Sequence, residues 1–362
     1  CEEICGRDFE IMRLWFMDDS NELFSYKATV MSFVMAMFVM YIHGNNIAYY
    51  SFSSEFTVAH AVEKLVGEVL GGLAVPLFFT MSAYWLFRYK VFEADAFVVL
   101  LRKMKKKVRT ICVPYLVWNV IGTLFYLVIT RIPALANMMN NGQVIELSLT
   151  NILEGVFLYK YYYPFWYLAE LIILTALSPL FLIVIRKKYL CAISFSVVIV
   201  AVFANWNFTY LKASSVLFFM IGATLAIYKK DFWEKSNHHK IFWPVLFIAM
   251  CIVRWCEIPV VNEMFYCISP IVLWCSSTVF FAGRKINNRL PWFIHQSFFV
   301  YAMHVLPITA VGHILAKVGS GSFFATVAYI INPVIVLVII YGAATLISKY
   351  MSPVYMILSG NR

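Results

Sequence analysis

Residues 28–46 read ATVMSFVMAMFVMYIHGNN, an apolar run with His43 near its far end. Up to Tyr41 the run carries no charge and almost nothing polar. About 20 residues at roughly 1.5 Å rise each cross a hydrocarbon core of roughly 30 Å, so this stretch reads as a spanning helix. An ionisable side chain in such a helix is costly and marks a functional site by default. The duller account is a histidine resting at the water interface.

The rest of the chain agrees with the run. Of its 362 residues, 62% are hydrophobic, 18% aromatic and 13% charged. Soluble domains run at about 45–50% apolar and about 25% charged. No polar block is long enough for a separate soluble catalytic domain, so any chemistry falls to helices and short loops. Nine more apolar segments follow, near 70–88, 110–130, 166–185, 189–206, 211–228, 241–256, 264–282, 294–316 and 324–347. The expectation is an all-α polytopic membrane protein of about ten transmembrane helices. One membrane domain spans 28–350, between a segment 1–27 and a tail 351–362.

Charge orients the chain. With the N-terminus inside, 23 of the 29 Lys and Arg residues fall on inner segments. The six on the outer side are Lys64, Arg131, Lys160, Lys212, Arg254 and Lys317. The insertion bias toward cytoplasmic Lys and Arg then places both termini in the cytoplasm; an inner (plasma) membrane is the expected location. It also explains the net charge of +10 without any nucleic acid. Most of the eight cysteines sit inside apolar segments and read as small hydrophobes. Cys256 and Cys267 flank one outer loop, and a disulfide between them stays open. No H-x-x-x-H pair occurs, so no metal site is expected.

Two loops stand out. The outer loop 131–165 leads into Tyr161, Tyr162, Tyr163, Pro164, Phe165 and Trp166. Such a run is either an interfacial aromatic belt or a stacking surface for a sugar. The inner loop 88–109 carries eight basic residues. Cytoplasmic retention explains them, and so does a docking surface for a nucleotide diphosphate.

At this point the order of motifs resembles the acyltransferase-3 family of integral membrane acyltransferases. MYIHGNN closes the first helix, LAVPLFFTMSAYWLF makes the second, and KKKVRTICVPYLVWN opens the third. PFWYLAELIILTALSPLF, LFFMIGATLAIYKKDF and FFVYAMHVLP follow in order. The resemblance implies ten core helices. It implies transfer of an acyl group, usually acetyl from acetyl-CoA, to a hydroxyl of a carbohydrate or envelope polymer, and it gives the catalytic role to His43. Three positions where the family often has arginine are neutral here: Ser32, Gly72 and Ala169. Arginine makes bidentate, charge-assisted contacts that these residues cannot replace.

Depth follows from counting. His43 lies 16 residues beyond Lys27, about 24 Å along a helix, and His304 lies 15 beyond Arg289, about 22 Å. Glu170 stands about 6 Å below the outer face, four residues into its helix. The three share the outer third of the bilayer. Acyl transfer needs a base near the acceptor hydroxyl and donors for the tetrahedral oxyanion. His43 is the expected base, and Glu170 the group that orients an imidazole. Asn46, Ser82, Trp166, Tyr301 and His304 are the expected oxyanion or acceptor contacts. Lys103, Lys106, Lys107, Arg109, Tyr115 and Trp118 are expected to bind acyl-CoA, a co-substrate rather than a resident cofactor. The partners expected are the bilayer, acyl-CoA and a carbohydrate or glycolipid acceptor; a homo-oligomer stays open. The rival reading is a non-catalytic relative that transports or senses a small molecule. An unrelated secondary transporter predicts paired breaks in two half-sequences, which are not found.

Overall fold

The computed structural model describes residues 19–50, 57–88, 95–140, 143–234, 239–281 and 290–360. Segment 1–18 lies outside the described residues, as do Lys90, Lys235, Arg284, Lys285, Arg289 and Arg362 of the inner basic set.

Helix makes up most of the described residues. The first helices are α1 (Asp19–His43), α2 (Val58–Phe87) and α3 (Ala96–Ile129). Two short helices, α4 (Pro133–Asn140) and α5 (Leu149–Phe157), occupy the long loop. Then come α6 (Trp166–Ala176), α7 (Ser178–Arg186), α8 (Lys188–Phe203), α9 (Ala213–Tyr228) and α10 (Lys230–Glu234). The rest are α11 (Phe242–Trp255), α12 (Val261–Ser277), α13 (Ser297–Met303), α14 (Val305–Ala316), α15 (Gly321–Tyr350) and α16 (Ser352–Leu358). A two-residue ribbon, Asn207–Phe208 against Leu211–Lys212, leads into α9. Each of the ten apolar segments is occupied by helix. Among the described residues five helices are long and apolar enough to cross a membrane, seven if each of two bent pairs counts once. Three shorter apolar helices are α8, α9 and α11.

Three helices start well before their apolar runs, because polar residues there find distant partners. In α1, Phe24 packs within 5.4 Å of the Tyr84, Trp85 and Trp274 rings. Lys27 is not a loop residue but is buried: its Nζ donates to the Trp274 carbonyl at 2.6 Å and to Thr278 Oγ1 at 2.7 Å. In α2, Glu63 is buried and accepts the Asn46 N–H at 3.0 Å, while Lys64 pairs with Glu257 at 2.6 Å. In α3, most of the expected basic loop is the helical stretch Ala96–Lys107.

Prolines set the bends. Proline lacks the N–H that would bond the carbonyl four residues back. Pro179 thereby leaves the Thr175 carbonyl, and Ser178 Oγ donates to it at 2.7 Å where α6 and α7 bend by 58°. Pro307 follows a 79° bend between α13 and α14, centred on His304. Pro76 sits just past a stretch of wide and tight turns, Lys64–Leu73, inside α2.

The tightest packing joins α2 to α9, where a Cβ on Gly222 would overlap the Thr80 carbonyl oxygen. Thr80 Oγ1 reciprocates by donating to the Phe218 carbonyl at 3.1 Å. The tail is not loose: Leu358 is buried, and its carbonyl accepts Trp118 Nε1–H at 3.0 Å. Cys256 and Cys267 are both free thiols.

Candidate active site

His43 ends α1, where the Gly44 N–H closes the last turn on the Met40 carbonyl at 2.8 Å. Its Nδ1 lies 3.0 Å from Tyr163 Oη, and its ring centroid is 5.1 Å from that of His304. The long loop delivers Tyr163 because its neighbours are stapled to α13. Tyr162 Oη donates to the Ala302 carbonyl at 2.6 Å, and Tyr301 Oη donates to the Pro164 carbonyl at 2.6 Å. The stacked rings of Phe165 and Tyr301, 5.8 Å apart, reinforce the join.

His304 is fully buried at the α13–α14 bend. Its Nδ1 is 2.6 Å from the Tyr301 carbonyl, and Nε2 has no hydrogen-bond partner. A carbonyl only accepts, so Nδ1 carries the hydrogen and Nε2 of the neutral ring is a lone pair. His304 therefore presents an acceptor, and donates to an oxyanion only after taking a proton. Tyr163 has no sequence signal beyond its place in the aromatic run, yet it is the direct partner of His43.

A cavity of about 590 Å³ opens between α3, α2, α6 and α13. Lys103, Lys106, Lys107 and Thr110 line one part; Ser82, Tyr167 and Tyr301 line another. The Tyr301 ring lines the cavity and lies 6.0 Å from the His304 ring by centroids. Ser82 Oγ is 3.4 Å from Tyr167 Oη and faces the same space.

The other expected site residues fall elsewhere. Glu170 is buried on the far side of α6, hydrogen-bonded to Ser215 and to the Lys212 backbone, and bonds neither imidazole. Glu170 was expected beside an imidazole, but its helix turns the carboxylate toward Ser215 of α9, and Tyr163 is the residue that contacts His43. Asn46 ties the loop after α1: its backbone N–H bonds Glu63, and its Nδ2 donates to the Ala325 carbonyl at 3.3 Å. The single Tyr301 hydroxyl proton is committed to Pro164. Tyr115 donates to the Phe157 carbonyl at 2.7 Å and Trp118 to Leu358, so both are bracing residues in the core. Arg109 is exposed and outside the cavity lining. Trp166 lines a different cavity, with Lys212 Nζ 3.6 Å over its ring.

Of the three neutral positions, Gly72 has a cation beside it. Ser32 lines the cavity that receives the three lysines. At Gly72 a Cβ would overlap Nη2 of Arg254, with Cζ at 3.0 Å, so a guanidinium from α11 fills the space beside the glycine. Ala169 is a half-buried packing residue.

A family model described as an acyltransferase domain matches residues 28–351. No curated protein matches the chain, and no solved structure does.

Proposed function

The chain belongs to the acyltransferase-3 family of membrane acyltransferases, and from that premise we propose that it moves an acyl group, acetyl in the simplest case, from cytoplasmic acyl-CoA to a hydroxyl of an extracytoplasmic carbohydrate or glycolipid. The reading includes ten crossings of the inner membrane, both chain ends in the cytoplasm, and His43 as general base. One observation carries it: two imidazoles and Tyr163 cluster together, and the Tyr301 ring, 6.0 Å from that of His304, lines a cavity that three lysines also line.

The donor's anionic nucleotide rests on Lys106 and Lys107, which attract phosphate as point charges. Its long thin arm fits the 590 Å³ cavity and brings the thioester to the Tyr301 wall. Movement of that ring admits the thioester to the imidazoles. The acceptor hydroxyl gives its proton to His43 Nε2, while His43 Nδ1–H donates to Tyr163 Oη. The hydroxyl oxygen forms a bond to the thioester carbon. The tetrahedral intermediate collapses with loss of the carbon–sulfur bond, and the proton passes from His43 to the leaving sulfur. Two imidazolium rings at 5.1 Å would repel, so the pair carries one proton at a time. The lone pair of His304 Nε2 suits the role of holding that proton or the acceptor hydroxyl.

The test uses purified full-length protein in detergent with labelled acetyl-CoA, scored for binding and for slow hydrolysis. Binding with turnover that vanishes in His43→Ala, while that variant still folds, supports the proposal. No binding at millimolar donor moves the chain to the non-catalytic reading.

A further inference from the structure

A second cavity, of about 400 Å³, lies among α2, α9, α11 and α12, against the last turn of α1. Ile42, the residue before His43, forms part of its wall, and so does Trp166, three residues after Tyr163. It therefore sits beside the turn that carries His43, and on α2 its residue Val75 lies about one turn from Phe78 of the lysine-lined cavity.

Its lining is unusual for an apolar helix bundle. Arg254 is the only charge in the helix FWPVLFIAMCIVRW. It reaches the cavity because residue 72 is glycine, and its Nε–H donates to the Glu68 carbonyl at 3.0 Å. That bond fixes the guanidinium while leaving its other N–H groups toward the space. Among the described residues no carboxylate lies within ion-pair distance of Arg254 or of Lys212, the second cation on the wall. Ser214, Asn262 and Glu263 add hydroxyl, amide and carboxylate groups, and Trp166 and Tyr266 add ring faces. Glu263 on the wall and the Glu170 carboxylate, which interacts with Lys212, offset part of the cationic charge, so the guanidinium of Arg254 is the group that selects a negative charge. Neutral hydrogen-bonding groups beside aromatic rings suit a hydroxyl-bearing ring. A guanidinium matches carboxylate or phosphate oxygens in a two-pronged contact.

We propose that this cavity binds a sugar carrying an anionic group, phosphate or carboxylate, through Arg254 and Lys212. Its further role as the acceptor subsite rests on the acyl-transfer reading above; the anionic-sugar recognition does not. The bound ring lies beside the turn that carries His43, so one of its hydroxyls is the one delivered to the base.

Binding to purified full-length protein in detergent is measured by calorimetry at low salt. The probes are glucose 1-phosphate, glucuronate, glucose and inorganic phosphate, with acetyl-CoA as a separate ligand. At least one anionic sugar should bind tenfold or more tightly than glucose, and more tightly than inorganic phosphate. Which of the two anionic sugars binds tells phosphate from carboxylate. Arg254→Gln and Lys212→Gln should each weaken that binding about tenfold. Lys212 is exposed, so its variant keeps the fold even if the Arg254 variant does not, and gel filtration with melting in detergent reports folding in both. Binding of neither anionic sugar, glucose binding as tightly as the charged sugars, or wild-type binding in both variants overturns the proposal. Inorganic phosphate matching glucose 1-phosphate overturns it too. If anionic sugars bind through Arg254 while acetyl-CoA binds nowhere, the acyl-transfer reading falls and this site stands.

Discussion

Removing the two imidazoles singly and together tests the heart of the mechanism. A positioned general base contributes about 10²–10⁴ in rate. At about 1.36 kcal/mol per factor of ten, His43→Ala should raise the barrier by about 2.7–5.4 kcal/mol. His304 is buried with its Nδ1 held by the Tyr301 carbonyl, and its ring lies 5.1 Å from that of His43. If the pair handles one proton as a unit, His304→Ala costs a loss of similar size. The double variant then falls no more than about tenfold below the worse single one, because residues acting as a unit are far from additive. Independent roles would multiply to about 10⁴–10⁸. The assay is single-turnover transfer from labelled acetyl-CoA, with gel filtration and melting in detergent to confirm folding. His304→Asn, nearer in volume, covers the case in which alanine unfolds the bend. Multiplicative losses, or wild-type turnover in His43→Ala, would refute the reasoning.

Three further outcomes follow from the same geometry. Tyr163→Phe removes one hydrogen bond to His43 Nδ1, worth about 0.5–1.5 kcal/mol, and should lower kcat by about two- to thirteenfold with KM for acyl-CoA unchanged; a pure KM effect would contradict the orienting role. Lys106→Gln with Lys107→Gln should raise KM for acyl-CoA several-fold at low salt and progressively less as salt screens the charges, read from KM against ionic strength; a salt-independent change would argue against a phosphate contact. Gly222→Ala places a methyl on the Thr80 carbonyl and should destabilise the α2–α9 contact by about 1–3 kcal/mol, seen as a lower melting temperature in detergent; unchanged melting would mean that the two helices part without cost.

Much of the scaffold is legible in the chain because apolar runs report on themselves. The bends beside Pro179 and Pro307 are not foreseen, since proline inside a transmembrane helix is often accommodated by its neighbours. Helix starts are less legible. Lys27, Glu63 and Lys64 look like loop residues to any local reading, yet each is held by a partner far along the chain or across a turn. The same limit governs the candidate site. His43 stands out as a histidine in a greasy helix, and the lysines of α3 stand out as a cluster. Glu170 also stands out, but its helix rotates it toward Ser215, and the partner of His43 is Tyr163 in a loop with three consecutive tyrosines.

Composition and hydropathy by themselves determined the helical membrane character, the ten apolar segments and the histidine worth following. Those properties are sums over neighbouring residues, and the chain carries them whatever it packs against. Only the tertiary structure decided which face each helix turns inward, that His304 meets His43, and that Arg254 settles into the space beside Gly72. Rotation about a helix axis is set by packing between segments up to some hundreds of residues apart, as in the 247-residue separation of Lys27 from Trp274, and no local pattern encodes it.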